Sequence, residues 1–185
     1  MKKYIYIIRH GITDWNLQKK IQGPVDIPLN EKGKLQAETL SKKLKEKNIK
    51  LLFCSHLFRA YETAKIISNN LNIPVIINPL LREICHGDWN GKSYKELKLT
   101  YPKEHKIWKT APHLIAPPNG ETLGKVKERL LYFIKNNKIK SIDCPFGIVT
   151  HKIVGAVLCT ILKNESLEKT PYYYQDNGNF IELSF

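Results

Sequence analysis

Five residues far apart along the chain are of types that can do chemistry together: Arg9, His10, Arg59, Glu83 and His151. Two guanidiniums forking onto one small site suit a phosphate, because arginine keeps its charge and offers paired donors. A histidine between them can act as a nucleophile, since a neutral imidazole nitrogen can attack phosphorus in line. Nearby cations lower that histidine's pKa and keep one nitrogen free near neutral pH. A second histidine can donate to the equatorial oxygens as their charge redistributes. A lone carboxylate can protonate the leaving oxygen and then take a proton from water. These are the parts of a phosphoryl transfer that calls for no metal.

Other phosphate chemistries fail on spacing. A cysteine phosphatase needs five residues between its thiolate and its arginine, whereas four separate Cys54 from Arg59. No Asp-x-Asp is present for an aspartyl-phosphate intermediate, and no Gly-x-x-x-x-Gly-Lys-Ser/Thr for a P-loop. No His-Glu-x-x-His occurs, and no histidine pair has metal-ligand spacing on a helix, so no metal and no cofactor is expected.

The elements that must position these groups follow from the apolar pattern. Tyr4-Ile5-Tyr6-Ile7-Ile8 reads as a strand buried on both faces and ending at Arg9, His10 and Gly11. Residues 12–29, broken by Asn16, Gly23, Pro24 and Pro28, read as an irregular loop. A helix runs from Asn30, its N-cap, to Lys47, with Ala37, Leu40 and Leu44 on one face. Residues 51–54 form a second strand, 57–71 a helix, and 75–77 a third strand. Five prolines punctuate 79–119, which reads as a substrate-facing insertion with a helix at 93–100 and a turn of helix near Trp108. A helix at about 121–137, a strand at 146–150, a helix at about 153–163 and a last strand from Asn179 to Phe185 complete the pattern. Strands alternating with helices predict one α/β domain over 1–185 with a mainly parallel sheet. Its strand ends then gather Arg9, His10, Ser55, Arg59, Glu83 and His151 on one rim, where open α/β sheets bind ligands.

Composition sets the outer bounds. The chain has 185 residues and a net charge of +13, carried almost wholly by lysine, since Arg9, Arg59, Arg82 and Arg129 are its only arginines. Lysines such as Lys42, Lys43, Lys45 and Lys47 fall on a helix face as a solvated surface, so no nucleic-acid partner is expected. The positive field favours small anionic substrates. No apolar run is long enough for a membrane span. Met1-Lys2-Lys3 leads directly into a strand and does not read as a signal peptide. The isolated cysteines Cys54, Cys85, Cys144 and Cys159 suit reduced thiols, and a cytoplasmic location is expected.

Six blocks, in order along the chain, resemble the histidine phosphatase superfamily, the phosphoglycerate-mutase-like enzymes. Arg9-His10-Gly11-Ile12-Thr13-Asp14-Trp15-Asn16 resembles R-H-G-x-T-x-x-N. Gln22-Gly23 with Asp26-Ile27-Pro28-Leu29, Gly33 and Gln36-Ala37 resembles the next block. Ser55 to Ala64 resembles S-x-L-x-R-A-x-x-T-A, and Leu81-Arg82-Glu83 with Gly87, Trp89 and Gly91 resembles L-R-E-x-x-x-G-x-W-x-G. Gly120-Glu121-Thr122 and Val149-Thr150-His151 resemble the last two. The resemblance implies a three-layer α/β/α fold with one antiparallel edge strand. It implies His10 as the phosphorylated nucleophile, Arg9, Arg59 and His151 as the rest of the phosphate pocket, and Glu83 as the proton donor. Asn16, Gln22 and Gly23 would touch phosphate or substrate.

Two positions are particular to this chain. The family usually has glycine after its final histidine; here Lys152 would add a cation at the pocket rim. His86 stands three residues after Glu83, where some branches turn a histidine to the substrate. Trp89, Trp108 and Tyr172-Tyr173-Tyr174 are candidate pocket-lining aromatics. The expected activity is metal-independent hydrolysis of a small phosphorylated metabolite through a phosphohistidine, resembling broad-specificity, α-ribazole and phosphoserine phosphatases. A cofactor-dependent phosphoglycerate mutase is the alternative, although the chain ends at Phe185 without the tail that shields such a site. A non-catalytic anion-binding protein is a third reading. The resemblance implies a monomer or homodimer, as many such relatives are.

Overall fold

The computed structural model describes residues 3–184. Met1 and Lys2, part of the lead-in to the first strand, and Phe185, expected to close the last one, lie outside the described residues. In chain order the elements are β1 (Tyr4–Arg9), α1 (Asp14–Leu17), α2 (Glu31–Lys45), β2 (Leu52–Cys54), α3 (Phe58–Leu71) and β3 (Val75–Ile77). Then come α4 (Tyr94–Thr100), α5 (Pro102–Thr110), α6 (Leu123–Asn136), β4 (Phe146–Thr150), α7 (Lys152–Leu162) and β5 (Phe180–Ser184). The sheet order is β3-β2-β4-β1-β5, parallel throughout except for the antiparallel β1–β5 pair at one edge. No described helix is long and apolar enough to cross a membrane.

Period-2 alternation builds a core on each face of the sheet. From β1, Ile5 and Ile7 enter the layer filled by α6 and α7, with Phe146, Ile148, Leu130, Phe133, Val154 and Val157. Tyr6 and Ile8 enter the other, with Leu40 and Leu44 of α2 and Ala60, Ala64 and Ile67 of α3. The chain leaving β1 therefore goes to one face and the chain leaving β4 goes to the other. These two strands are neighbours, so their C-terminal ends form a topological switch point, where a crevice opens.

The segment expected to be irregular, 12–29, contains a turn of helix. Thr13 caps α1 by accepting from the Asn16 N–H, while the Asn16 side chain accepts from the Thr13 N–H at 3.0 Å. Asparagine does here what glutamate or glutamine does in the usual capping box. The insertion is also more helical than its prolines suggest. Pro102 sits at the first position of α5, where its missing N–H costs nothing, and a nine-residue helix replaces the single turn expected near Trp108. A small third core of Ile21, Trp89 and Leu97, flanked by Tyr101 and Trp108, holds this segment together.

The turn after β1 is locked against α2 by backbone contact. A Cβ at Gly11 would lie 2.4 Å from the Gly33 carbonyl oxygen, and one at Gly33 would lie 2.2 Å from the Ile12 carbonyl oxygen. Gln36 Oε1 accepts from the Ile12 N–H at 2.8 Å, and Thr63 Oγ1 accepts from the Gly11 N–H at 3.0 Å. Gly33 lies inside a helix, so propensity alone makes alanine there stabilising by about 1 kcal/mol. Steric contact reverses that sign: we predict that Gly33→Ala destabilises by roughly 1–3 kcal/mol, read as a lower urea midpoint at unchanged slope. A stabilised variant would show that the helix and the loop can move apart freely.

Candidate active site

The switch point collects the side chains. Arg9 ends β1 opposite Thr150, which ends β4, so His10 and His151 emerge side by side. Their ring centroids are 5.2 Å apart. The ladder continues one bond further, with the His10 N–H donating to the Thr150 carbonyl at 3.0 Å. Ser55 arrives from β2, its N–H donating to the Val149 carbonyl at 3.0 Å, and Arg59 projects from the first turn of α3.

Glu83 comes from the stretch after β3. Its carboxylate accepts from its neighbour's N–H (Ile84, 3.0 Å) and from the N–H groups of Ile153 and Val154 at 3.4 Å each, in the first turn of α7. A carboxylate there takes up otherwise orphaned donors and lies at the positive end of the helix. Glu121 holds the same stretch from behind. It accepts from the Cys85 N–H at 2.8 Å and pairs with Arg82 at 2.9 Å and Arg129 at 3.1 Å.

The imidazole of His10 is 3% exposed and has a defined orientation. Its Nδ1 lies 2.6 Å from the Gly11 carbonyl oxygen, an acceptor only, so Nδ1 carries the proton. Nε2 is left with a free lone pair. Burial foremost, and then the Arg59 and Arg9 charges, hold His10 well below the ordinary histidine pKa, so the ring is neutral at pH 7. Burial and the Arg59 charge do the same to His151. His151 Nε2 lies 2.9 Å from Ser55 Oγ, while its Nδ1 is buried without a partner. Ser55 Oγ already accepts from the Leu57 N–H at 3.3 Å, which leaves its own proton to donate.

The guanidiniums are held by backbone carbonyls. Arg59, 1% exposed, donates to Gly23 at 2.7 Å and Val25 at 2.8 Å; Arg9 donates to Gln175 at 2.5 Å. Burial lowers the Arg59 pKa to about 10, which still leaves it charged at neutral pH. The Nε atoms of both arginines are buried with no partner.

These groups open into a cavity of about 610 Å³. Arg9, His10, Asn16, Gln22, Gly23, Arg59, Glu83, His86 and Lys152 all line it; His151 lies beside His10 but not on the wall. His86 is edge-on to Trp108 and buried, and burial alone brings its pKa down to about 4. Of the aromatics expected to line the pocket, Trp108 and Tyr174 do. Trp89 does not: it is fully buried in the small core of the insertion. Tyr172 is 80% exposed, and Tyr173 is also off the wall, bonded to Glu165 instead.

Sequence reasoning missed Asn177. Its amide donates to the His10 carbonyl at 3.1 Å, the Gly11 carbonyl at 3.4 Å and Asn16 Oδ1 at 3.3 Å. The Gly178 N–H also donates to the His10 carbonyl, at 3.1 Å. The only signal was an Asn-Gly turn before the last strand. Lys20, Tyr94, His105 and Lys109 on the outer wall were missed as well.

Comparison with known proteins agrees with this geometry. A profile of the histidine phosphatase superfamily (branch 1) matches residues 5–185. Phosphoserine phosphatase 1 of Hydrogenobacter thermophilus is 30% identical over 177 residues, covering 95% of this chain and 83% of that protein. The adenosylcobalamin/alpha-ribazole phosphatase of Salmonella typhimurium is 32% identical over 155 residues, 83% of this chain and 76% of that one. The native structure of a mycobacterial glucosyl-3-phosphoglycerate phosphatase superposes with a TM-score of 0.90 at 26% identity, covering 100% of this chain and 91% of the other.

The three buried imidazoles tie stability to pH. Unfolded histidine titrates near pH 6.5, whereas His86 in the fold titrates at about 4 and His10 and His151 well below 6.5. Below pH 6.5 the unfolded chain therefore binds protons that the native chain does not. Stability is full above that pH and falls as pH drops, by about 1.4 kcal/mol per unit for each histidine. We predict a falling urea midpoint between pH 7 and 5.5, with a shallower fall in His86→Leu. A flat profile would mean that these rings protonate inside the fold.

Proposed function

We propose that this chain, which belongs to the histidine phosphatase superfamily and is a phosphatase enzyme, hydrolyses a small phosphomonoester through a phosphohistidine at His10. The observation that carries the reading is the orientation of the His10 ring: Nδ1–H is tied to the Gly11 carbonyl at 2.6 Å, and Nε2 is free beside two guanidiniums. Relatives named for phosphoserine and α-ribazole phosphatases support a small phosphorylated metabolite as substrate.

The steps follow from where each group sits. Arg9 and Arg59 hold the phosphoryl oxygens through their free donors and offset the substrate's charge. His10 Nε2 attacks phosphorus, the P–O bond to the substrate alcohol breaks, and Glu83 in its acid form gives the leaving oxygen a proton. The mechanism takes the tautomer in which Ser55 donates to His151 Nε2, 2.9 Å away, so that His151 keeps its own proton on Nδ1 and offers it to an equatorial oxygen as charge builds there. Glu83, now a carboxylate, takes a proton from water as the water oxygen attacks phosphorus. The P–N bond breaks, inorganic phosphate leaves, and both His10 and Glu83 are restored. Arginine charge does throughout what a bound metal ion does in other phosphatases.

Predicted outcomes are specific. His10→Ala lowers kcat for an aryl phosphate by roughly a thousandfold or more while its thermal unfolding stays cooperative. Rapid quenching of the wild type traps one phosphate per chain on His10, labile in acid and stable in base. A chelator leaves the rate unchanged. A base-labile phosphoenzyme, or turnover by His10→Ala, would assign the nucleophile elsewhere. Incubation with 3-phosphoglycerate gives inorganic phosphate; isomerisation without release would identify a mutase.

A further inference from the structure

The strongest unexplained group in the cavity is Lys152. It is the first residue of the eleven-residue helix α7, so its charge sits at the positive end of a helix dipole, where cations are disfavoured. Burial foremost adds to the cost of its charge, and Arg9 is close enough to repel it; both lower its pKa. Among the described residues it forms no ion pair, although Glu83 and Asp176 lie within range of its field. Its one evident compensation is a ring: Nζ lies 4.7 Å from the centroid of Tyr174, which also lines the cavity. A cation kept at a helix N-terminus, partly buried beside an arginine and without an ion-pair partner, marks a site whose partner comes from outside.

Charge counting along the wall agrees. Arg9, Lys20, Arg59, Lys109 and Lys152 bring five positive charges to the wall, against the single carboxyl group of Glu83. A phosphomonoester dianion offsets the two arginines and occupies their end. The three lysines remain along the wall, and a cavity of about 610 Å³ leaves ample room beyond a phosphoryl group.

Resting on the phosphatase reading, we infer that Lys152, steadied on the face of Tyr174, binds a second anionic group on the substrate's alcohol portion. The substrate class is thus an anionic phosphomonoester, its second charge a carboxylate or another phosphate. The lysine acts as a specificity-determining residue: it contacts the part of the substrate that does not react. The ring face of Tyr174 holds the ammonium by cation–π attraction.

The test is a preference ratio. Measure kcat/KM for glycerol 3-phosphate, which has one anionic group, and for 3-phosphoglycerate and glycerol 1,3-bisphosphate, which add a carboxylate or a second phosphate. The wild type prefers at least one doubly anionic ester by roughly ten- to a hundredfold, the range of one charge-assisted contact. Which of the two it prefers names the second group. In Lys152→Met the ratio falls towards one through a rise in KM for the doubly anionic ester, and Lys152→Arg restores most of it. Thermal unfolding confirms that each variant is folded. Hydrolysis of all three esters at equal efficiency by the wild type, or a preference that survives Lys152→Met, overturns this inference alone. Failure of the wild type to release phosphate from any ester overturns the phosphatase reading and this one together.

Discussion

The site depends on one pairing, the parallel ladder between β1 and β4. Its register runs from Ile5 opposite Phe146 to Arg9 opposite Thr150, and it alone sets His10 beside His151. A slip of one residue would turn Ile5 and Ile7 out of the α6–α7 core and put Tyr6 and Ile8 in their place. Gly147 adds a further lock. A Cβ there would lie 2.6 Å from Leu52 Cδ2 and 2.9 Å from Ile8 Cδ1, so no other residue can take its place in the ladder unless those side chains move. The geometry of the site is thus held by hydrophobic packing of the strand residues that lead into it, from Ile8 directly before Arg9 to Gly147 four residues before His151.

That packing has a polar burden to carry. Arg59 and His151 are each 1% exposed and His10 is 3%, and charged or polar groups at such depth are costly unless bonded. The two guanidiniums are satisfied mainly by carbonyls of irregular segments, Gly23 and Val25 for Arg59 and Gln175 for Arg9. Carbonyls bring no charge of their own, so they fix the guanidiniums without cancelling the field. The same field, with burial, keeps both imidazoles neutral. One arrangement therefore produces both a cationic pocket and the neutral imidazole that the proposed mechanism requires of His10. A carboxylate paired directly to Arg9 or Arg59 would weaken both.

The parts of this structure that follow a period were legible in the sequence. All five strands, and α2, α3, α6 and α7, lie where the apolar spacing put them, within a residue or two at their ends. His10, Arg9, Arg59, Glu83, Asn16, Gln22, Gly23, His86 and Lys152 do share one cavity, with His151 beside it. What was missed has no period. The α1 turn depends on asparagine in a place usually read as glutamate, and α5 begins at a proline that looks like a breaker. Trp89 was read by residue type as a wall and is a core residue, because Ile21 and Leu97, separated from it in sequence, close over it. Asn177 gave no chemical signal, since its role is to tie three backbone and side-chain oxygens around His10.

This division has a functional consequence. The inner wall of the cavity is made by strand ends and helix starts, where a changed residue disturbs the sheet. The outer wall is made by Lys20, Tyr94, His105, Trp108, Lys109 and Tyr174, from turns and short helices. Lys20, His105 and Lys109 belong to no hydrophobic core, so substitution there alters size and charge at little cost to stability, whereas Trp108 and Tyr174 also pack against one. Lys152 is the exception that joins the two halves. Its backbone belongs to the first turn of α7, whose next two N–H groups hold Glu83, while its side chain belongs to the outer wall. A charge placed there is felt by Arg9 and Glu83 alike. A substrate anion bound at Lys152, as inferred above, would therefore be felt at the Arg9–Glu83 end as well. Tyr174 steadies the ammonium without adding a negative charge next to the arginines.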